Sequence, residues 1–351
     1  MKKNFLLLTI LLFVPTISFA QTVSLQDKID QLFVIGFRGT RYSTSPAIQK
    51  MLKETNLGGV ILFDYDTPTK RYGRNIVTGA QVRRLTSDLQ KNARTRLLIG
   101  IDEEGGSVSR LKRIPGYRRG VTAKVLGTRS LASVEATAFR LGGYLKSLGI
   151  TTNFAPVLDV DTGKKNPIIG RFGRAFSSDP QTVALYGNTF ASGLKRGGVA
   201  PVGKHFPGHG SALSDSHKEF TDITEVWTES ELIPFEKACE SGLGAVMVGH
   251  LVDKRVDTLP ATLSKAHIDR LKRIGCDDAL VITDDMDMAA ITSHFTKEDA
   301  AVRALSAGVD MLIYSNNIER YAPHDFFILR KAVYNAVQNG ALSESRIDLI
   351  S

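Results

Sequence analysis

Short apolar runs recur along the chain, each closing on polar or glycine-rich residues and each followed by a stretch of helical periodicity. The runs are Leu32–Phe37, Gly59–Phe63, Leu97–Ile101, Thr152–Val157, Ala200–Gly203, Ala245–Val248, Ala279–Thr283 and Met311–Tyr314. Their length and β-branched content fit buried parallel strands. Between them, Ala80–Lys91, Ser133–Ser147, Gln181–Arg196, Thr228–Ser241, Ser264–Ile274, Lys297–Ala307 and Phe326–Gln338 carry apolar residues at helical spacing. Thr228, Ser264 and Asp179-Pro180 are suited to start helices, and Gly149, Gly197, Gly242, Gly275 and Gly308 to end them.

Strands alternating with helices imply a parallel sheet. Eight such repeats predict an α/β fold of the (β/α)8 TIM-type barrel, in a single domain with enlarged loops. An open doubly wound sheet is the alternative, but no GxGxxG follows an early strand. A barrel carries its chemistry just after the C-terminal ends of its strands. The ionisable residues collect there: Asp102-Glu103-Glu104 and Arg110 after the third run, Asp159 and Arg174 after the fourth, Lys204-His205 and Asp215-Ser216-His217 after the fifth, His250 after the sixth, and Asp284-Asp285 after the seventh.

The first twenty residues stand apart. A short basic start, Met1-Lys2-Lys3-Asn4, precedes the apolar stretch Phe5–Val14 and the small-residue site Ser18-Phe19-Ala20. This predicts a signal peptide over 1–20 and a periplasmic or secreted product, 21–351. An uncleaved anchor is the alternative, although the apolar stretch is short for a bilayer. The formal charge of +9 is dispersed, without aromatic-basic interleaving, so no nucleic-acid partner is expected. Of the two cysteines, Cys239 and Cys276, separate buried thiols are expected rather than a disulfide.

The segment Lys204–His217 concentrates three histidines around a Pro-Gly-His-Gly turn. His205, His209, Asp215 and His217 could ligate zinc, but Lys204 would set a cation against the metal and HExxH is absent. Acid/base work is the other reading. Asp215 and His217 are two residues apart, and a carboxylate beside an imidazole fixes its tautomer. Asp284 at a strand end then suits a carboxylate nucleophile, as in double displacement at an anomeric carbon. His209 is expected to stabilise its loop. Trp227 is either core or a sugar platform, with core favoured. His250 is either a substrate contact or barrel-top packing. Asp285, facing opposite to Asp284 in extended backbone, is expected to be structural. Glu103 and Glu104 are expected to shape their loop or pair with a nearby arginine.

Taken together, Ile101–Gly106 with Arg110, Asn153–Asp159, Arg174-Ala175-Phe176, Lys204–Gly210 with Asp215-Ser216-His217, and Thr283–Met286 resemble glycoside hydrolase family 3 in its single-domain β-N-acetylglucosaminidase branch. The resemblance covers roughly residues 25–348, and KHFPGHG followed by DSH is its most specific part. It implies a retaining exo-β-N-acetylglucosaminidase with Asp284 as nucleophile and His217 as acid/base, paired with Asp215. It further implies that Asp102, Arg110, Arg174, Lys204 and His205 hold the terminal sugar. The implied substrate is a GlcNAc-terminated oligosaccharide from peptidoglycan or chitin, without metal or organic cofactor, acted on by a monomer. A β-glucosidase or glycoside phosphorylase of the same family, or a non-catalytic sugar-binding protein, are the alternatives. Ser107 departs from the pattern, since many relatives carry arginine there.

Overall fold

The computed structural model describes residues 23–163, 166–215 and 220–349. The expected signal peptide over 1–20 lies outside them. Among the described residues, no helix is long and apolar enough to cross a membrane.

Nine parallel strands form the main sheet. Two of them, Ala200–Pro201 and Gly203–Phe206, are its two ends and are separated in the chain only by Val202. The sheet therefore closes on itself, with eight staves: β1 (Phe33–Gly36), β2 (Gly59–Ile61), β3 (Leu98–Ile101), β4 (Thr152–Asn153), β5 (the two pieces just named), β6 (Ala245–Val248), β7 (Leu280–Asp285) and β8 (Met311–Tyr314). β8 pairs with β1 to complete the ring. The staves match the eight apolar runs. β4 is shorter than its run because the ladder lapses before Pro156, which has no amide hydrogen, and resumes only as a bridge from Val157 to Lys204.

Side-chain alternation separates two cores. Val34, Ile61, Phe63, Phe154, Val202, Met247, Ile282 and Ile313 fill the barrel interior. Their neighbours Phe33, Ile35, Val60, Leu62, Val246, Val248, Val281 and Leu312 face the helices instead. This is the period of two expected of strands with both faces covered.

The outer layer is α1 (Pro46–Glu54), α2 (Gly79–Asn92), α3 (Leu131–Ser147), α4 (Pro180–Arg196), α5 (Ile233–Glu240), α6 (Lys265–Arg273), α7 (Lys297–Ala307) and α8 (Asp325–Gln338). Thr78, Ser130, Asp179, Ser264 and Thr296 each accept a first-turn amide and so start their helices. The helix expected over Thr228–Ser241 is divided. Glu229–Leu232 forms a 3-10 turn, and α5 begins only at Ile233, with Pro234 in its first turn. That division aims Glu231 inward.

Two separate thiols were the wrong expectation: Cys239 and Cys276 form a disulfide, with Cα atoms 5.2 Å apart. Cys239 lies in the last turn of α5 and Cys276 follows α6. Helices that are successive around a barrel are neighbours in space, so 37 residues of separation do not keep the sulfurs apart.

Candidate active site

The interior alternation fixes which residues reach the barrel mouth. On β3 the inward positions run Leu98, Gly100 and then Asp102. On β5 they run Val202 and then Lys204. On β7 they run Leu280, Ile282 and then Asp284. Three alternate staves thus contribute Asp102, Lys204 and Asp284 to one upper layer. Together with Arg110, Arg174 and His205, these residues border a cavity of about 560 Å³ at the C-terminal end of the barrel. Apolar walls come from Phe63, Phe154, Met247 and Ile313.

The side between β3 and β5 is a charge lattice. Lys204 Nζ lies 2.8 Å from Asp102 Oδ1 and 2.7 Å from Glu104 Oε1. Arg174 forks onto Glu104 with two 2.8 Å bonds, and Arg110 reaches Asp102 at 3.4 Å. Burial alone would push the Asp102 and Glu104 carboxyls up, but the adjacent cations hold both below their ordinary range. Burial likewise opposes the charge on Lys204, and the two carboxylates keep its pKa raised. The lattice therefore stays fully ionised at neutral pH. It presents fixed donors and acceptors, which suit the mixed hydrogen bonding of sugar hydroxyls.

Asp159 organises the next layer. Its carboxylate accepts the amides of His205 and His209 at 3.1 and 2.8 Å, and its Oδ2 lies 2.7 Å from His205 Nδ1. Burial would raise its pKa, and His205 lowers it. His205 Nε2 in turn lies 3.4 Å from Arg174.

At the end of β7, Asp284 Oδ1 accepts the Asp285 amide at 2.7 Å. Asp285 also borders the cavity, contrary to simple alternation, because pairing with β8 shifts register between Ile282 and Asp285. Its carboxyl accepts the Ser315 and Asp287 amides. Burial, and then the charge of Asp287, push its pKa up to about 8.

Not every expected residue joins this group. Asp215 is described but does not border the cavity, and His217 lies outside the described residues. His209 is buried, with its carbonyl accepting Asn166 Nδ2 at 2.7 Å, as a loop stabiliser should be. Trp227 is core, its indole N–H donating to Pro207 O at 3.0 Å. His250 packs at the barrel top, bonded to Thr262 and the Asp285 carbonyl. Glu103 shapes its loop by accepting the Arg110 and Leu111 amides, and Glu104 pairs with Arg174. The role of Asp159 went unread in the sequence. Its one signal is its position just past a strand end, in a loop otherwise apolar. Ser107 borders the cavity at the position where an arginine was expected from the resemblance.

The family model described as the glycosyl hydrolase family 3 N-terminal domain matches residues 24–350. The β-hexosaminidase LpqI of Mycobacterium tuberculosis is 34% identical over 336 residues, covering 93% of this chain and 80% of that protein. A β-hexosaminidase of Nitrosospira multiformis is 34% identical over 298 residues, covering 82% and 80%. Among solved structures, a family 3 β-N-acetylglucosaminidase from a Paenibacillus species superimposes with a TM-score of 0.83 at 32% identity. That match covers 93% of this chain but only 60% of the Paenibacillus chain. M. tuberculosis LpqI gives a TM-score of 0.79 at 30% identity, covering 93% and 91%.

Proposed function

This chain belongs to glycosyl hydrolase family 3 and is a glycoside hydrolase of the β-hexosaminidase kind, and from that premise we propose that it is a retaining exo-β-N-acetylglucosaminidase. The observation that carries this reading is the upper layer of the barrel, in which Asp284 faces the Asp102–Lys204 pair across one cavity. The lattice of Asp102, Arg110, Arg174, Lys204 and His205 holds the terminal sugar by its hydroxyls. Asp284 attacks the anomeric carbon from the opposite wall. The bond to the leaving oxygen breaks as His217 delivers a proton to that oxygen, and a glycosyl ester forms on Asp284. Water then attacks the same carbon, and His217, oriented by Asp215, removes its proton. The ester breaks and Asp284 is restored as a carboxylate. The Asp285 amide at 2.7 Å from Asp284 Oδ1 favours the ionised nucleophile.

The substrate class is a GlcNAc-terminated oligosaccharide released from peptidoglycan or chitin. A product exported by residues 1–20 meets such fragments outside the cytoplasm.

The test is covalent trapping. A fluorinated N-acetylglucosaminide that forms its ester faster than it loses it is incubated with the protein, and the labelled peptide is sequenced by mass spectrometry. Label on Asp284, together with a rate loss of about 10⁴-fold or more in the Asp284→Ala variant, is expected. Label on Asp285, or an Asp284→Ala variant with full turnover of an aryl N-acetylglucosaminide, overturns the assignment.

A further inference from the structure

Beneath the Pro207–Ser211 turn lies a carboxyl that the reaction above does not use. Glu231 is 1% exposed, and among the described residues neither of its oxygens has a hydrogen-bond partner. The Ser211 hydroxyl and the Ser211 and Thr228 amides approach it without full bonding geometry, and that hydroxyl is itself buried and unpartnered among the described residues. Burying a carboxyl with so little hydrogen bonding is unfavourable, so its retention calls for a reason.

The turn above it is tied to the sugar-facing wall. Gly208 has a φ of 126°, and a methyl group placed on it would lie 3.0 Å from Glu231 Cβ and 3.1 Å from Glu231 Oε2. The same methyl would meet the Trp227 indole nitrogen at 3.1 Å. The turn therefore rests directly on Glu231 and Trp227. On its other side, the Gly208 amide donates to the His205 carbonyl at 2.8 Å, and the His209 amide donates to Asp159 at 2.8 Å. Asp159 holds His205, which adjoins Arg174.

We infer that Glu231 is a positioning residue for this reaction: its side chain braces the Pro207–Ser211 turn and, through Asp159 and His205, sets the wall that grips the sugar. The role rests on the functional reading above, but its physical signature does not. Burial raises the Glu231 pKa to about 7, with Ser211 drawing it partly back and the negative charge of Asp159 adding to the rise. The brace is neutral below that value and charged above it. Among the described residues, the ionisable group facing it is Asp159, itself held by the His205 and His209 amides. Arg255 and Arg270 lie over the neighbouring indole, paired with Asp253 and Glu229 respectively.

Trp227 is the single tryptophan of the chain and touches the same turn, so its fluorescence reports on this spot alone. The fluorescence and the KM for an aryl N-acetylglucosaminide are measured against pH in the wild type, Glu231→Gln and Glu231→Ala. Expected are a fluorescence transition near pH 7 in the wild type that Glu231→Gln lacks, and a wild-type KM that rises through the same interval. Glu231→Gln keeps the neutral shape and holds a KM within about threefold at all pH values, whereas Glu231→Ala raises it about tenfold with kcat less affected. A transition that survives in Glu231→Gln belongs to another group and overturns the inference. So does a folded Glu231→Gln as impaired as Glu231→Ala. If Glu231→Ala does not fold, the fluorescence of Glu231→Gln decides alone. A loss of Asp284 labelling would undo the functional reading without touching the fluorescence result.

Discussion

On the β3–β5 side of the cavity, Asp102 faces Lys204 at 2.8 Å, Glu104 faces Lys204 at 2.7 Å and Arg174 at 2.8 Å, and Asp159 faces His205 at 2.7 Å. Across the mouth, at the end of β7, the Asp285 carboxyl accepts, among the described residues, amides and side-chain help from Ser315, while Lys297 pairs with Asp287 and Asp325 instead. The first group of carboxylates sits below its ordinary pKa and Asp285 sits well above it. The same burial acts on both sides, so the difference comes from where the cations were spent. The carboxylates of the lattice wall stay ionised over the working range and serve to hold. The β7 wall has a carboxyl whose proton is labile near neutrality, beside the group proposed to do the chemistry.

Removing the shared cation should break the comparison most severely. Lys204 touches both Asp102 and Glu104, and it is buried. Lys204→Ala leaves the buried Glu104 and half-buried Asp102 carboxylates to repel one another, with the arginines opposing. Breaking a buried pair from one side costs about 3–5 kcal/mol of stability. The loss should appear as a lower midpoint in urea and as a fall of about a hundredfold or more in kcat/KM. A variant of wild-type stability would mean that water already screens the lattice.

A milder cut separates charge from shape. Arg174→Lys keeps the positive charge beside Glu104 but loses the planar fork that makes two 2.8 Å bonds at once. Hydrogen bonds to charged groups contribute about 1.5–3 kcal/mol, so KM for an aryl N-acetylglucosaminide should rise roughly tenfold to a hundredfold. The Asp284 side is untouched, so kcat should change less than KM. An equal fall in kcat would show that the fork also serves the transition state.

Much of this contrast was legible in the sequence. The eight apolar runs marked the staves, and alternation along them puts Asp102, Lys204 and Asp284 on the inward face. What escaped depended on ring closure or on short signals. An arginine partner for Glu104 was among the expectations, but that it is Arg174, 70 residues away in the chain, no local pattern specifies. Asp159 gains its meaning from two amides of the next stave. α1 went unpredicted because nine residues give only Ile48, Met51 and Leu52 as buried apolar positions, too few to establish a period. The disulfide needed the neighbourhood of α5 and α6, which two isolated cysteines do not announce. Asp285 was read as facing away from the cavity because alternation was extended through a register shift that only strand pairing reveals.

The smallest predicted effect is the most diagnostic of the β7 wall. Burial first, and Asp287 second, raise the Asp285 pKa to about 8 from an ordinary 3.8. Folding therefore takes up a proton at this group when the unfolded chain is already ionised. Its contribution to stability is fully present below the unfolded value and is lost as pH rises from there through the folded value. Asp285→Asn cannot ionise, yet its oxygen can still accept the Ser315 and Asp287 amides that Asp285 binds at 3.0 and 3.1 Å. Its Tm should thus match the wild type in acid and exceed it by a few °C at about pH 8, the gap opening across that window. The slope, rather than the absolute Tm, carries the argument, because a packing change would shift both ends alike. A gap that stays constant with pH would mean that Asp285 is ionised throughout, and the two walls would then no longer differ in kind.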